Sequence, residues 1–533
     1  MKTKTVQRIC AVLLAVLLLG TTMSAAFAAN DVTPVLIVSG MGSRPMTDHE
    51  TGKSVFPPET GTIIKVVLEA LGPIAGTIAL QNGVLFDKFG ADAVHGILSD
   101  LACDEDGNSI KQIDSEVFPD SMDHYKDTFA DATVNENAMV RSVGETVGWE
   151  NTYFFNYDWR MNPLDIAKDL HTLVETIQGK YHSKISMIAL SMGGNVTMAY
   201  LSLYGSEAFK TIVLASTAFL GVEMVGRMLA GDLTVTSQAV LNYFVPFFKS
   251  MNLNVLSGAF GALAFAADKT GTPAVNRYLK NLVAALKDPL YQKVFRDTFA
   301  RFLGVWSFVP AAFYQDARAL VRTYTTVSDS FLAKTKQLQD VQKNVPALME
   351  KAEKSGTSVY IVGAYGFAGI PITKAADNHT DNLIDTHLMT GNCAVAPFGK
   401  TLADAAYDRS CACADPKHHH CSADGVIDAS VGLRPERTWV IKGMSHVEFG
   451  YEHETTDLAL WLLTSSKPVD VHSNARFPQF TELNRKTGAL ESLTQGADGK
   501  SKPGATPSLP QQILAFFKDA YVRVMRTVFP KVA

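Results

Sequence analysis

Charged side chains are scarce in this chain of 533 residues, at 19% against the roughly 25% usual in globular proteins. Neither sign dominates them. The formal charge is −5, so no whole-molecule field attracts a polyanion, and no nucleic-acid partner is expected. Long apolar runs are also missing beyond the N-terminus. The nearest approach, the Gly/Ala-rich stretch 256–267, is interrupted by glycines and preceded by Asn252 and Asn254. It falls short of the ~20 apolar residues that span a bilayer. No internal repeat is evident, and cysteine is sparse, with six in the chain. A hydrophobic fraction of 47% is ordinary, which rules out a disordered or collagen-like chain. The length allows about three domains or one large α/β domain carrying insertions.

The one uninterrupted apolar run, 9–19, follows Lys2, Lys4 and Arg8, and Ala26 and Ala28 form an A-x-A pattern after it. Residues 1–28 therefore read as a cleaved signal peptide, and the protein is expected to be secreted. Cys10 opens the apolar region rather than closing it, unlike the acylated cysteine of a lipoprotein. Five cysteines then remain, Cys103, Cys393, Cys411, Cys413 and Cys421. Export permits disulfides, and an odd number leaves at least one thiol for another fate.

Short, fully apolar runs recur at 34–38 (PVLIV), 152–155 (TYFF), 185–190 (ISMIAL) and 211–215 (TIVLA). They suit strands buried on both faces of a parallel sheet. Between them lie helical patterns, with Ile166, Leu170, Leu173, Val174 and Ile177 on one face and another helix at 193–204. This βαβ rhythm predicts an α/β fold with a mostly parallel, doubly wound sheet. It is interrupted about 43–149, and again at 222–356, where aromatic and helical patterns predict a helical cap or lid. It resumes at 359–362 (VYIV) and 438–442 (TWVIK). The expected organisation is a leader at 1–28, core at 29–221, cap at 222–356, core at 357–470, and a tail at 471–533. That tail holds a Gly/Ser/Lys/Pro-rich linker, about 488–508, and an amphipathic helix with Ile513, Phe516, Phe517, Tyr521, Val524 and Val528 on one side. The helix either docks on the domain or lies on a membrane surface.

The strand ISMIAL runs into Ser191, Met192, Gly193 and Gly194 and then a helix. A sharp strand-to-helix turn between small residues exposes a Ser hydroxyl, as a nucleophilic hydrolase requires, with Ala189 here in the usual Gly place. Such a hydroxyl needs a base, and the base needs a carboxylate. His446, after the strand TWVIK and the turn 443–445, occupies the place where this fold delivers its base. Chain order confines the acid to positions between Ser191 and His446. Asp424, at the turn before Val426 and Ile427, is the first choice and Asp428 the second, with Asp377, Asp381 and Asp385 at the other customary location after VYIV. The oxyanion donors are expected to be the backbone N–H groups of Met192 and of Met41, the latter in the glycine-flanked loop 39–43 (SGMGS).

The segments PVLIVSGMGS, NYDWRMNP (156–163), IALSMGG, ADGVID and SHVEF, in this order, resemble the lecithin:cholesterol acyltransferase family of α/β-hydrolases. The resemblance covers the sheet domain but not the cap in detail or the tail. It implies an α/β-hydrolase fold and cleavage or transfer of fatty acyl groups on phospholipids and related lipids, without a cofactor. It places the catalytic triad on Ser191, Asp424 and His446 and the oxyanion donors on Met41 and Met192. Leu190 stands where the family usually has His, and Ala189 where it has Gly.

The segment 411–421 (CACADPKHHHC) offers Cys411, Cys413, His418, His420 and Cys421 as metal-ligand candidates, although their spacing is not that of a structural zinc site. A disulfide-bearing loop and an unpaired surface segment are the other readings. Together these features lead to a secreted serine esterase, lipase or acyltransferase acting on acyl esters. The rival is a secreted lipid- or surface-binding protein without turnover, which has no need of a complete triad.

Overall fold

A computed structural model describes residues 32–58, 87, 91–130, 137–240, 242–243, 272–407, 420–449 and 453–493. The leader, the stretch 256–267 and the C-terminal amphipathic helix lie outside them.

Eight strands form the central sheet: β1 (Val35–Val38), β2 (Thr152–Phe155), β3 (Ile185–Leu190), β4 (Phe209–Ala215), β5 (Ser358–Tyr365), β6 (Thr438–Lys442), β7 (Phe480–Asn484) and β8 (Ala489–Ser492). Their spatial order is β8-β7-β6-β5-β4-β3-β1-β2. Every pairing is parallel except β7 with β8. The first six strands are almost wholly apolar because both faces are covered. Leu36, Val38, Met187 and Ala189 face one core, and Val35, Ile37, Ile188 and Leu190 face the other. This is the α/β-hydrolase fold.

On the first face lie α2 (Pro163–Tyr181) and α3 (Gly193–Tyr204), with α8 (Val345–Lys354) against α3 and β5. The start of α2 is written into the sequence: Asn162 Oδ1 accepts from Leu164 N at 3.1 Å, and Pro163 supplies a preset first turn. The opposite face is covered by α1 (Asn137–Val147) and α9 (His453–Thr464). Between β4 and β5 the described chain is mainly helical, with α4 (Glu223–Leu229), α5 (Thr272–Pro289), α6 (Tyr314–Tyr324) and α7 (Asp329–Lys343) preceding α8.

The sheet does not end at residue 470, as the sequence pattern suggested. Strand β7 pairs with β6 from Val440↔Phe480 to Lys442↔Glu482, and β8 closes the edge by an antiparallel hairpin. The stretch 489–492, expected as linker, belongs to that hairpin. These edge strands mix Thr, Glu and Asn with apolar residues, so they lack the solid apolar run that marks the interior strands. Leu483 and Leu490 nevertheless enter the second core. Leu483→Ala should therefore lower the unfolding free energy by roughly 2–4 kcal/mol, seen as a lower urea midpoint at unchanged slope.

Candidate active site

Three strand ends converge on Ser191. It follows β3 directly and holds φ at +51°, a left-handed conformation that a non-glycine residue adopts only under constraint. The constraint comes from Gly193 and Gly194. A side chain at Gly193 would lie 2.6 Å from the Val38 carbonyl oxygen, and one at Gly194 would lie 2.5 Å from Thr217 Cβ. The first turn of α3 thus sits on the ends of β1 and β4. The Ser191 carbonyl accepts from Gly194 N at 3.1 Å and Ala218 N at 3.2 Å, which closes the turn.

His446 reaches the serine with Nε2 3.0 Å from Ser191 Oγ. Its Nδ1 lies 2.7 Å from Asp381 Oδ2, and its backbone N donates to the Asp381 carbonyl at 2.6 Å. Asp381 is wholly buried. Its Oδ1 accepts from Leu383 N at 3.1 Å and Ile384 N at 2.7 Å. A carboxylate so placed accepts a hydrogen bond from Nδ1–H and keeps the proton there, leaving Nε2 as the acceptor that faces the serine hydroxyl. His379, two residues upstream, is buried against Tyr365 and Phe398. Burial pushes its pKa down to about 4.

Asp424 does not occupy the position expected of it. Gly425, at φ +72°, turns the chain sharply, but the turn folds the carboxylate onto β5 and β6. There Asp424 Oδ2 accepts from Tyr365 OH at 2.8 Å and pairs with Lys442 Nζ at 2.9 Å, while Oδ1 accepts from Ser422 Oγ at 2.7 Å. Burial raises its pKa, yet Lys442 and these hydrogen bonds together hold it below the usual carboxylate value. The alternative Asp428 instead caps the turn Ala429–Val431, accepting from Ser430 N at 2.9 Å. Asp385 accepts from Glu223 N at 2.7 Å and so ties the acid-bearing loop to α4. Asp377 is exposed at the end of the turn Lys374–Asp377. Of the acids considered from sequence, Asp381 is the one against His446. The clue was its place after β5, followed by Asn382, which tolerates the left-handed φ of +82° found there.

Met192 is buried at the N-terminal cap of α3, and Met41 is 41% exposed in the loop after β1. That loop is anchored by NYDWRMNP. Ser39 Oγ donates to Asn156 Oδ1 at 3.2 Å, and Tyr157 OH donates to the Ser39 carbonyl at 2.9 Å. Arg160, fully buried, grips Asp158 through Nε at 3.0 Å and a second bond through Nη2, and its Nη1 donates to the Leu101 carbonyl at 2.7 Å.

One contributor escaped the sequence reading. Arg485, in the β7–β8 turn, pairs with Glu448 and donates to the Gly443 carbonyl. Glu448 in turn accepts from Ser445 N at 2.8 Å. The hairpin therefore braces the turn that carries His446. Of the metal candidates, Cys411, Cys413 and His418 lie outside the described residues. His420 hydrogen-bonds with Gln479 and Glu436, and the backbone of Cys421 pairs with that of Asp428 as an antiparallel β-bridge.

Two substitutions separate the acids. Asp381→Asn should lower kcat by ~10³-fold or more in any reaction that uses Ser191, whereas Asp424→Asn should change kcat by less than ~10-fold. The second variant should be revealed by stability instead. Because its folded pKa is depressed, Asp424 stabilises the fold above about pH 4 and loses that contribution as pH falls through the folded value. Asp424→Asn should thus flatten the acid limb of a stability–pH curve. A third variant, Arg485→Ala, should reduce kcat by roughly 10-fold with little change in KM, and Arg485→Lys should restore part of it.

Comparison with known proteins agrees at the level of the fold. Residues 161–306 match the Hydrolase_4 family, described as serine aminopeptidase, S33. No curated protein matches the chain by sequence. Among solved structures, the Tle4–Tli4 complex contains a chain similar over 81% of this one and 97% of its own length, at 10% identity and a TM-score of 0.30. That likeness is too low to bear on function. The fold is that of the α/β-hydrolases, and a hydrolase family matches the segment that holds Ser191.

Proposed function

We propose that the protein is an exported serine ester hydrolase that cleaves, or transfers, acyl groups of lipid esters through an acyl-enzyme. The observation that carries this reading is the continuous chain Asp381–His446–Ser191, at 2.7 and 3.0 Å. A structural serine has no use for a base so oriented. In the reaction, Ser191 Oγ attacks the ester carbonyl as its proton passes to His446 Nε2, and Asp381 holds the imidazole and offsets its charge. The oxyanion is met by the N–H groups of Met192, at the positive end of α3, and Met41. His446 then returns the proton to the departing alcohol. Water, or a second alcohol, repeats the sequence in reverse on the acyl-Ser191 ester.

The apolar nature of the substrate rests on the resemblance to lecithin:cholesterol acyltransferases and on two exposed residues beside the site. Met41 follows β1 and Val447 follows the base, and each is 41% exposed. The export reading rests on residues 1–28. A second reading, hydrolysis of an aminoacyl amide, is favoured by the description of the family that matches 161–306.

Purified wild-type protein should label at Ser191 with a fluorophosphonate, and Ser191→Ala should lose both labelling and at least ~10³-fold of ester hydrolysis while folding normally. Turnover of long-chain glycerolipid esters well above aminoacyl amides supports the lipid reading. The reverse preference favours the peptidase reading, and unlabelled, inactive protein removes both.

A further inference from the structure

A second cluster of chemistry-bearing side chains lies at the far end of β6 from His446. His420, Glu436 and His472 come from three separate segments, and their ligand-type atoms all lie within 4.8 Å of one another. His420 Nε2 is 3.0 Å from Glu436 Oε1, and His472 Nε2 is 3.1 Å from Glu436 Oε2. Backbone hydrogen bonds hold the segments in place: Val471 N donates to the Glu436 carbonyl at 3.0 Å, and Ala429 N donates to the His420 carbonyl at 2.7 Å.

The state of His420 is set from its other side. Gln479 spends its amide N–H groups on the carbonyls of Pro435, at 2.7 Å, and Thr438, at 3.0 Å. Its Oε1 therefore faces His420 Nδ1, at 2.7 Å, as an acceptor. The imidazole proton belongs on Nδ1, and Nε2 turns a lone pair toward a carboxylate oxygen. Two acceptors at 3.0 Å repel unless a second proton or a cation stands between them. An imidazole whose outer nitrogen is fixed by a buried amide oxygen, and whose inner nitrogen points at a carboxylate and a second histidine, has the arrangement of a metal ligand.

We propose that His420 Nε2, Glu436 and His472 Nε2 bind a divalent transition-metal ion, Zn²⁺ by ligand type. Two imidazoles and one carboxylate suit that ion. Ligand bonds of about 2.0–2.1 Å in a tetrahedron put the donors about 3.3 Å apart, close to the two histidine–carboxylate separations. His420 is buried, while Glu436 and His472 are partly exposed. The site ties the loop before Asp424, the entry to β6 and the entry to β7 into one unit. It serves stability rather than the acyl chemistry, and does not depend on the function proposed for Ser191.

The full chain, stripped with a chelator and then dialysed, should take up Zn²⁺ at one equivalent and gain about 2–3 °C in Tm at a free Zn²⁺ concentration some 100-fold above Kd. Mg²⁺ should give no such gain. Co²⁺ in its place should show the visible bands of a tetrahedral site. Glu436→Gln and His472→Ala should each abolish the uptake and the Tm gain, yet keep metal-free ester hydrolysis within about two-fold of wild type. His387→Ala, in the separate cluster of Glu223, Asp385 and His387, should behave as wild type. Absence of Zn²⁺ uptake by the wild type overturns the proposal. So does full uptake and Tm gain in both variants, which would locate the ion elsewhere in the chain.

Discussion

The first turn of α3 rests on the ends of β1 and β4 with no room for a side chain between them. That contact sets the geometry of the site. It forces Ser191 into a left-handed conformation, lifts its hydroxyl clear of the sheet, and aims the helix N-terminus at the space above it. It also brings the loop after β1 to the other side of the same space. Hydrophobic burial on both faces of the sheet supplies the free energy that keeps such a turn closed. Residues far from the turn then act mainly by delivering partners to a fixed point.

Those partners arrive from strand ends in parallel register. Because β3, β4, β5 and β6 run the same way, their C-terminal loops all open on one edge of the sheet, and Ser191, Asp381 and His446 need only short excursions to meet. Parallel alignment also explains why the first six strands were legible in the sequence. Each is a short, largely apolar run, and helical spacing follows β2 and β3. The hairpin of β7 and β8 was not legible, because an edge strand with polar residues looks like loop. Its consequence extends beyond the edge, since Arg485 braces the turn that presents His446.

The acid was legible only as a short set of candidates. An Asp-Gly pair such as Asp424-Gly425 announces a turn, and the turn is there. What the sequence does not carry is the direction in which the turn throws its carboxylate, which depends on Lys442 and Tyr365 arriving from two different strands. Asp381 has no comparable local mark. Its fitness comes from the backbone N–H groups of Leu383 and Ile384 and from the approach of His446, sixty-five residues later. The Cys/His-rich segment shows the same limit. His420 meets Glu436 and His472 from two other segments, which no interval within its own segment points to.

The Asp158–Arg160 pair has a consequence for how this chain can change over generations. Its two members sit two residues apart, with the arginine wholly inside and the aspartate partly exposed. Losing Asp158 leaves the Arg160 charge uncompensated in the interior, at a cost of roughly 3–5 kcal/mol, which is much of a domain's net stability. Single-step drift at Asp158 is therefore nearly closed, and the route out is a paired exchange that removes both charges. Neighbouring Asn156 and Tyr157 are bound to the loop after β1 and would have to be accommodated in the same event. A segment with no reacting atom of its own is in this way held to a narrow set of spellings.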